Sequence, residues 1–173
     1  MDFQSIWFRY GVIYGLTSIM ISLISFYVYP IGIWTQMLIG FLLMIVFFVI
    51  VCKEEKKLND GILPYGSAFK LSFLTGFTGM VLAGIFAIIL FQLVDPSLLD
   101  VVREQSLEST RSMMEKMGAP EETIADAIEK AEENMESSFT IGSQLLNILT
   151  SSLFVLIIAA IVSLFTKKEP SVA

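Results

Sequence analysis

Residues 95–140 read DPSLLDVVREQSLESTRSMMEKMGAPEETIADAIEKAEENMESSFT. This is the one long polar interval of the chain, and it parts three strongly apolar segments from a fourth. It holds twelve acids and four bases (Arg103, Arg111, Lys116, Lys130), a net charge of −8, while the remaining residues hold five acids and seven bases, a net of +2. The −6 of the whole chain is therefore concentrated in this insert. Such a distribution gives no support to nucleic-acid binding, which calls for a basic face.

Outside the insert the chain is apolar. Over 173 residues the hydrophobic share is 55% and the mean hydropathy +0.74, above the roughly 45–50% apolar usage of soluble domains. The apolar residues are gathered in runs near the ~20 residues that span a bilayer as helix, and they lack the alternation of barrel strands. The chain therefore reads as an integral membrane protein.

Four spans are predicted, at approximately 7–29, 33–51, 68–94 and 143–165. The first is expected to be a retained helix, because Asp2 and a single Arg, Arg9, mark its start and no small-residue cleavage pattern follows. Pro30 and Gly32 make a short turn into the second. Lys53-Glu54-Glu55-Lys56-Lys57 closes that span, and Asn59-Asp60-Gly61 with Pro64 turns the chain back. Asp95-Pro96 closes the third, with Asp95 expected as the N-cap of a polar helix and Pro96 as its first residue. Lys167-Lys168 stop the fourth.

The predicted fold is thus all-α: one membrane domain, a bundle of four transmembrane helices with a helical hairpin over residues 95–140 between spans three and four. Four spans place both termini on one side of the bilayer. Arg9, Lys53, Lys56, Lys57, Lys70, Lys167 and Lys168 fall on that side, which the positive-inside rule makes cytoplasmic, so the insert is expected to be extracytoplasmic. Trp7 and Tyr65 suit the inner interface; Tyr27, Tyr29 and Trp34 suit the outer one.

Within the insert, Gly118 stops a first helix over 96–117 and Pro120 starts a second. Ile124, Ile128, Ala131 and Met135 follow 4-3-4 spacing, one apolar stripe and the expected hairpin seam. The first helix offers a looser stripe of Leu99, Val102, Thr110, Met113 and Met117. Only a weak break at Gly142 lies within 139–149, so the hairpin is expected to continue spans three and four as unbroken helices.

Small residues mark a second seam. Gly11, Gly15, Ser18, Ser22 and Ser25 share a face of span one, and Ser72, Gly76, Gly79 and Ala83 repeat the device in span three; small residues let membrane helices approach closely. Ordinary packing between these helices is the expected use, a homo-oligomer contact or polar pathway the alternative. Span two, rich in bulky residues from 41 to 51, is expected to face lipid most.

The chemical inventory is sparse. There is no His, and Cys52 is alone, so disulfides, Cys/His zinc sites and histidine acid–base chemistry are absent from one copy. No ionisable group falls at mid-membrane, where a transporter would need one. Glu129, Glu132, Glu133 and Glu136 lack the turn and alternating oxygen donors of a calcium loop and read as a solvated face. Cys52 reads as a small apolar residue at a helix end. No enzymatic activity, cofactor or metal is expected.

Arg9-Tyr10-Gly11 with Gly15, the Tyr65-Gly66-Ser67-Ala68-Phe69-Lys70 entry to span three, the Asp95-Pro96 exit and the Met-rich, Gly-broken, Glu-Glu-x-Ile segment over 113–136 resemble a family of bacterial four-span membrane proteins, domain of unknown function 4199. The resemblance implies this topology, a bacterial inner membrane and no established activity. The expected function is that of a non-enzymatic membrane protein embedded in the lipid bilayer, with a partner-binding or structural role through the acidic hairpin and a protein partner or a second copy as the candidate associate; the alternative is a small transporter or channel subunit built on the Gly/Ser seam of spans one and three.

Overall fold

The computed structural model describes residues 5–138 and 140–169. These residues form six helices: α1 (Ile6–Tyr27), α2 (Ile33–Leu58), α3 (Tyr65–Ile89), α4 (Leu98–Lys116), α5 (Glu121–Ser138) and α6 (Ile141–Thr166). A π-helical turn, Leu90–Val94, prolongs α3. Four stretches are long and apolar enough to cross a membrane: Ile6–Tyr27, Ile33–Leu58, Tyr65–Val94 and Leu145–Thr166. At 1.5 Å rise per residue, the 26 residues of α2 reach about 39 Å, longer than a ~30 Å hydrocarbon core. The helix therefore runs past the apolar boundary into Lys53–Lys57, residues that are good helix formers in water.

Helix α3 is the centre of the bundle and packs on α1, α2 and α6; α2 touches both α1 and α6. One core cluster joins Met44 and Phe48 of α2 to Val155, Ala159 and Val162 of α6. A second joins Val51 and Cys52 to Leu63, Ala68 and Leu71, with Trp7 and Tyr10 of α1 packed against it. The expectation that α2 is the most lipid-exposed span is thus corrected. Its Phe47, Phe48, Val51 and Cys52 are buried, whereas α6 turns Leu149, Leu153, Phe154, Ile157 and Leu164 outward. Side-chain bulk does not report facing: the Phe48 ring fills the space that Gly76 leaves open on α3.

The end of the bundle that carries Lys53, Lys56, Lys57, Lys167 and Lys168 is closed by backbone pairing. Leu63 and Lys168 exchange N–H···O bonds of 2.9 and 2.7 Å, and the Glu169 carboxylate accepts from the Tyr65 amide at 3.3 Å, at the first turn of α3. The segment after α6 is so held against the α2–α3 loop, where Asp60 (φ 48°) and Gly61 (φ 80°) make the turn.

At the opposite end the hairpin does not continue the spans. Asp95 (φ −145°, ψ 81°) leaves the helix, as a residue before proline tends to, and α4 starts afresh at Leu98 with Ser97 in the N-cap position. The N-cap position of α4 thus falls on Ser97 rather than on Asp95 as expected, although the Asp95 carboxylate still accepts from the Ser97 backbone N–H as well as from the hydroxyls of Ser97 and Tyr27. Helix α6 also starts afresh: Thr140 (φ −69°, ψ 151°) accepts from the Ser143 amide through its side chain, a helix start of the favoured Ser/Thr type. Phe139, part of the continuity expected from sequence, lies outside the described residues.

Candidate partner-facing end of the bundle

The small residues of α1 and α3 divide between two tasks. A Cβ on Gly11 would lie 2.7 Å from Thr78 Cβ and 3.0 Å from the Thr75 carbonyl oxygen; one on Gly15 would lie 3.0 Å from the Gly79 carbonyl oxygen; one on Gly79 would lie 2.2 Å from Tyr14 Cδ1. These three glycines form the α1–α3 seam. Gly76, three residues before Gly79 and so about 60° round the helix, instead meets Phe48 of α2 and Val155 of α6. Ser72 also faces α2, its hydroxyl 3.4 Å from Cys52 Sγ. Cys52 is itself fully buried. On a central helix, a 4-3-4 stripe is wide enough to serve three neighbours.

Toward the insert end the seam widens into a cleft of about 410 Å³ between α1, α3 and α6. Ser18, Ser22 and Tyr14 line one wall, Asn147 and Ser151 another, and Gly79, Ala83 and Gly84 are among the residues between them. The Ser18 hydroxyl is satisfied within α1, donating to the Tyr14 carbonyl at 3.0 Å. Sequence reasoning did not single out Tyr14, Asn147 or Ser151. Asn147 and Ser151 were detectable, as an amide and a hydroxyl four residues apart in an apolar run, but only the bundle opposes them to Ser18 and Ser22. Below Tyr14 and Gly79 the polar lining gives way to the Met44, Phe48 and Val155 core. Ser25 plays a different part, donating to Gln36 at 3.5 Å and accepting from the Ile31 amide at 3.3 Å, which ties the short α1–α2 turn.

Above the cleft, α4 and α5 pack as a hairpin around Gly118 (φ 72°). Ile124 is buried, and Ile128, Ala131 and Met135 are half-buried on the same face. With the apolar stripe turned inward, Glu121, Glu122, Asp126, Glu129, Glu132 and Glu133 stand exposed. Met117, at the bend, is 73% exposed. On α4, Leu99, Val102 and Thr110 are half-buried, with the Thr110 hydroxyl returned to the Ser106 carbonyl at 2.9 Å.

Two links hold the hairpin over the bundle. Tyr27, at the end of α1, donates to Asp95 at 2.9 Å. The Ser97 hydroxyl and then that of Tyr27 hold the Asp95 carboxyl below the usual carboxylate range, since hydrogen bonds to the charged form favour it. The second link is lateral: α4 lies beside the start of α2, so that Trp34 and Lys116 border one groove.

These features define a polytopic α-helical membrane protein: four spans with a helical hairpin outside the apolar layer. The chain belongs to the family described as Protein of unknown function (DUF4199), whose model matches residues 9–168. No curated protein and no solved structure matches it.

Proposed function

We propose that this is a non-enzymatic protein of a bacterial inner membrane, with both termini cytoplasmic, that docks a protein partner on the acidic outer face of its hairpin. The observation that carries the reading is the division of α5: its apolar stripe is spent on packing, so Glu129, Glu132 and Glu133 are displayed on its outer face, with the exposed Met117 at the bend before it. A partner for such a surface is basic with an apolar contact, because complementary potentials steer encounter and methionine adapts to varied apolar surfaces.

Orientation is tested first. A cysteine placed at Glu122 should react with an impermeant thiol reagent in intact cells, and one at Lys56 should not; buried Cys52 keeps the background low. The reverse pattern would invert the assignment. For the partner, crosslinking and capture from native membranes should recover a protein with the wild-type chain and lose it with the Glu129→Lys, Glu132→Lys, Glu133→Lys triple variant. Capture unchanged by charge reversal would sink the reading, and a strictly solitary chain under all growth conditions would do so as well. Recovery of a second copy alone would redirect it to a homo-oligomer.

The cleft supports a second reading, a small transporter or channel subunit. Its polar lining ends at Tyr14 and Gly79, which weighs against a pathway through one chain.

A further inference from the structure

A groove of about 390 Å³ runs between α4 and the first residues of α2, within the size range of small-ligand sites. Its floor carries Trp34, the second residue of a membrane-crossing helix, at the height where indole rings meet lipid headgroups. Its wall carries Glu108, Ser112 and Lys116. These recur every four residues and so form one row along α4, with the acid and the base at its ends about 12 Å apart along the axis. Neither pairs inside the protein: among the described residues the ion pair formed is Lys57–Glu54. Gln105 and Ser109 add hydrogen-bonding groups beside them.

We propose that this groove holds the headgroup of a zwitterionic phospholipid bearing a primary amine, its ammonium on Glu108 and its phosphate toward Ser112 and Lys116. The charges decide the class. One acid and one base at opposite ends of the row suit a headgroup that is itself a dipole, and both side chains are exposed to it. A purely anionic headgroup would set its phosphate in a groove that also contains Glu108, under a hairpin region of net charge −8, so like-charge repulsion disfavours it. A quaternary amine has no N–H to give to the carboxylate, whereas a primary ammonium has three.

The test uses the full chain in mild detergent, equilibrated with equal amounts of phosphatidylethanolamine, phosphatidylcholine and phosphatidylglycerol of matched chains, with bound lipid read by native mass spectrometry. Wild type should retain the ethanolamine lipid about two- to fivefold over either competitor, the range that one exposed charge pair supplies. Lys116→Gln should lower retention of all three phosphate-bearing lipids. Glu108→Gln should erase the ethanolamine-over-choline preference, lowering retention of the ethanolamine lipid more than that of the choline lipid. Glu115→Gln, an exposed acid of α4 outside the groove, should change nothing. Equal retention of the ethanolamine and choline lipids by wild type would overturn the proposal, as would a preference for the glycerol lipid. A Glu115→Gln effect as large as that of Glu108→Gln would overturn it too, since general charge would then explain the binding. Thermal unfolding of each variant separates lost lipid from lost fold.

Discussion

Gly79→Leu is expected to undo the docking of α1 on α3 and to lower the stability of the purified protein by about 3 kcal/mol or more, at or beyond the upper end of ordinary overpacking. The magnitude follows from what surrounds the glycine. A Cβ there would meet Tyr14 Cδ1 at 2.2 Å and the Gly11 carbonyl oxygen at 3.0 Å. The tyrosine ring, packed on Phe47 at 5.5 Å between ring centroids, would have to swing into the cleft it lines, and a backbone oxygen cannot turn at all. The helices must separate, and separation removes the close contacts that hold membrane helices together. Thermal or denaturant unfolding in micelles measures the loss. Gly40→Ala provides the contrast: nothing lies within 4 Å of its would-be Cβ, so it should be neutral or stabilising by at most about 1 kcal/mol through helix propensity. Equal stability of Gly79→Leu and wild type would mean that α1 is not seated on α3 as described.

Phe48→Ala is expected to destabilise the bundle by roughly 3 kcal/mol, the lower end of the range for buried aromatic truncation. Phe48 is fully buried among Met44, Val155, Ala159 and Val162, opposite Gly76. In a soluble protein the loss would combine a transfer term with a cavity term. In a membrane the alternative environment is also hydrocarbon, so the transfer term shrinks and lost dispersion contacts dominate. Phe154→Ala tests that distinction. Phe154 has the same hydrophobicity but is 53% exposed, its ring 6.2 Å from Phe41 between centroids. Its truncation should cost about 1 kcal/mol, the scale of an aromatic pair. Equal losses at the two positions would show that packing against Gly76 is not what makes Phe48 matter.

Much of this architecture was legible from residue order alone. The apolar runs placed four spans, Gly118 and Pro120 marked the bend of the hairpin, and the 4-3-4 spacing of Ile124, Ile128, Ala131 and Met135 marked the face that is least exposed. These signals are local: a helix needs about twenty apolar residues to cross a bilayer wherever it stands, and the period of a helix selects its buried stripe without reference to neighbours. The breaks at Asp95 and Thr140 were harder to read, because they depend on side chains that take up the freed backbone and carboxylate groups. Asp95 is held by Tyr27, 68 residues earlier in the chain.

Facing is where residue order fell short. In water, polarity tells a helix which side is inside. In lipid both sides are apolar, so α2 and α6 look alike as strings, although α2 is the more buried of the two. The same limit kept Gly76 and Gly79 in one stripe until α1, α2 and α6 were arranged around α3, and it hid the cleft that sets Ser22 of α1 against Asn147 and Ser151 of α6. Composition and periodicity by themselves determined the class, the number of spans, the hairpin and the site of the acidic charge. Only the tertiary structure decided which residues meet across helices, because in an apolar solvent close fit rather than hydrophobicity selects the contact.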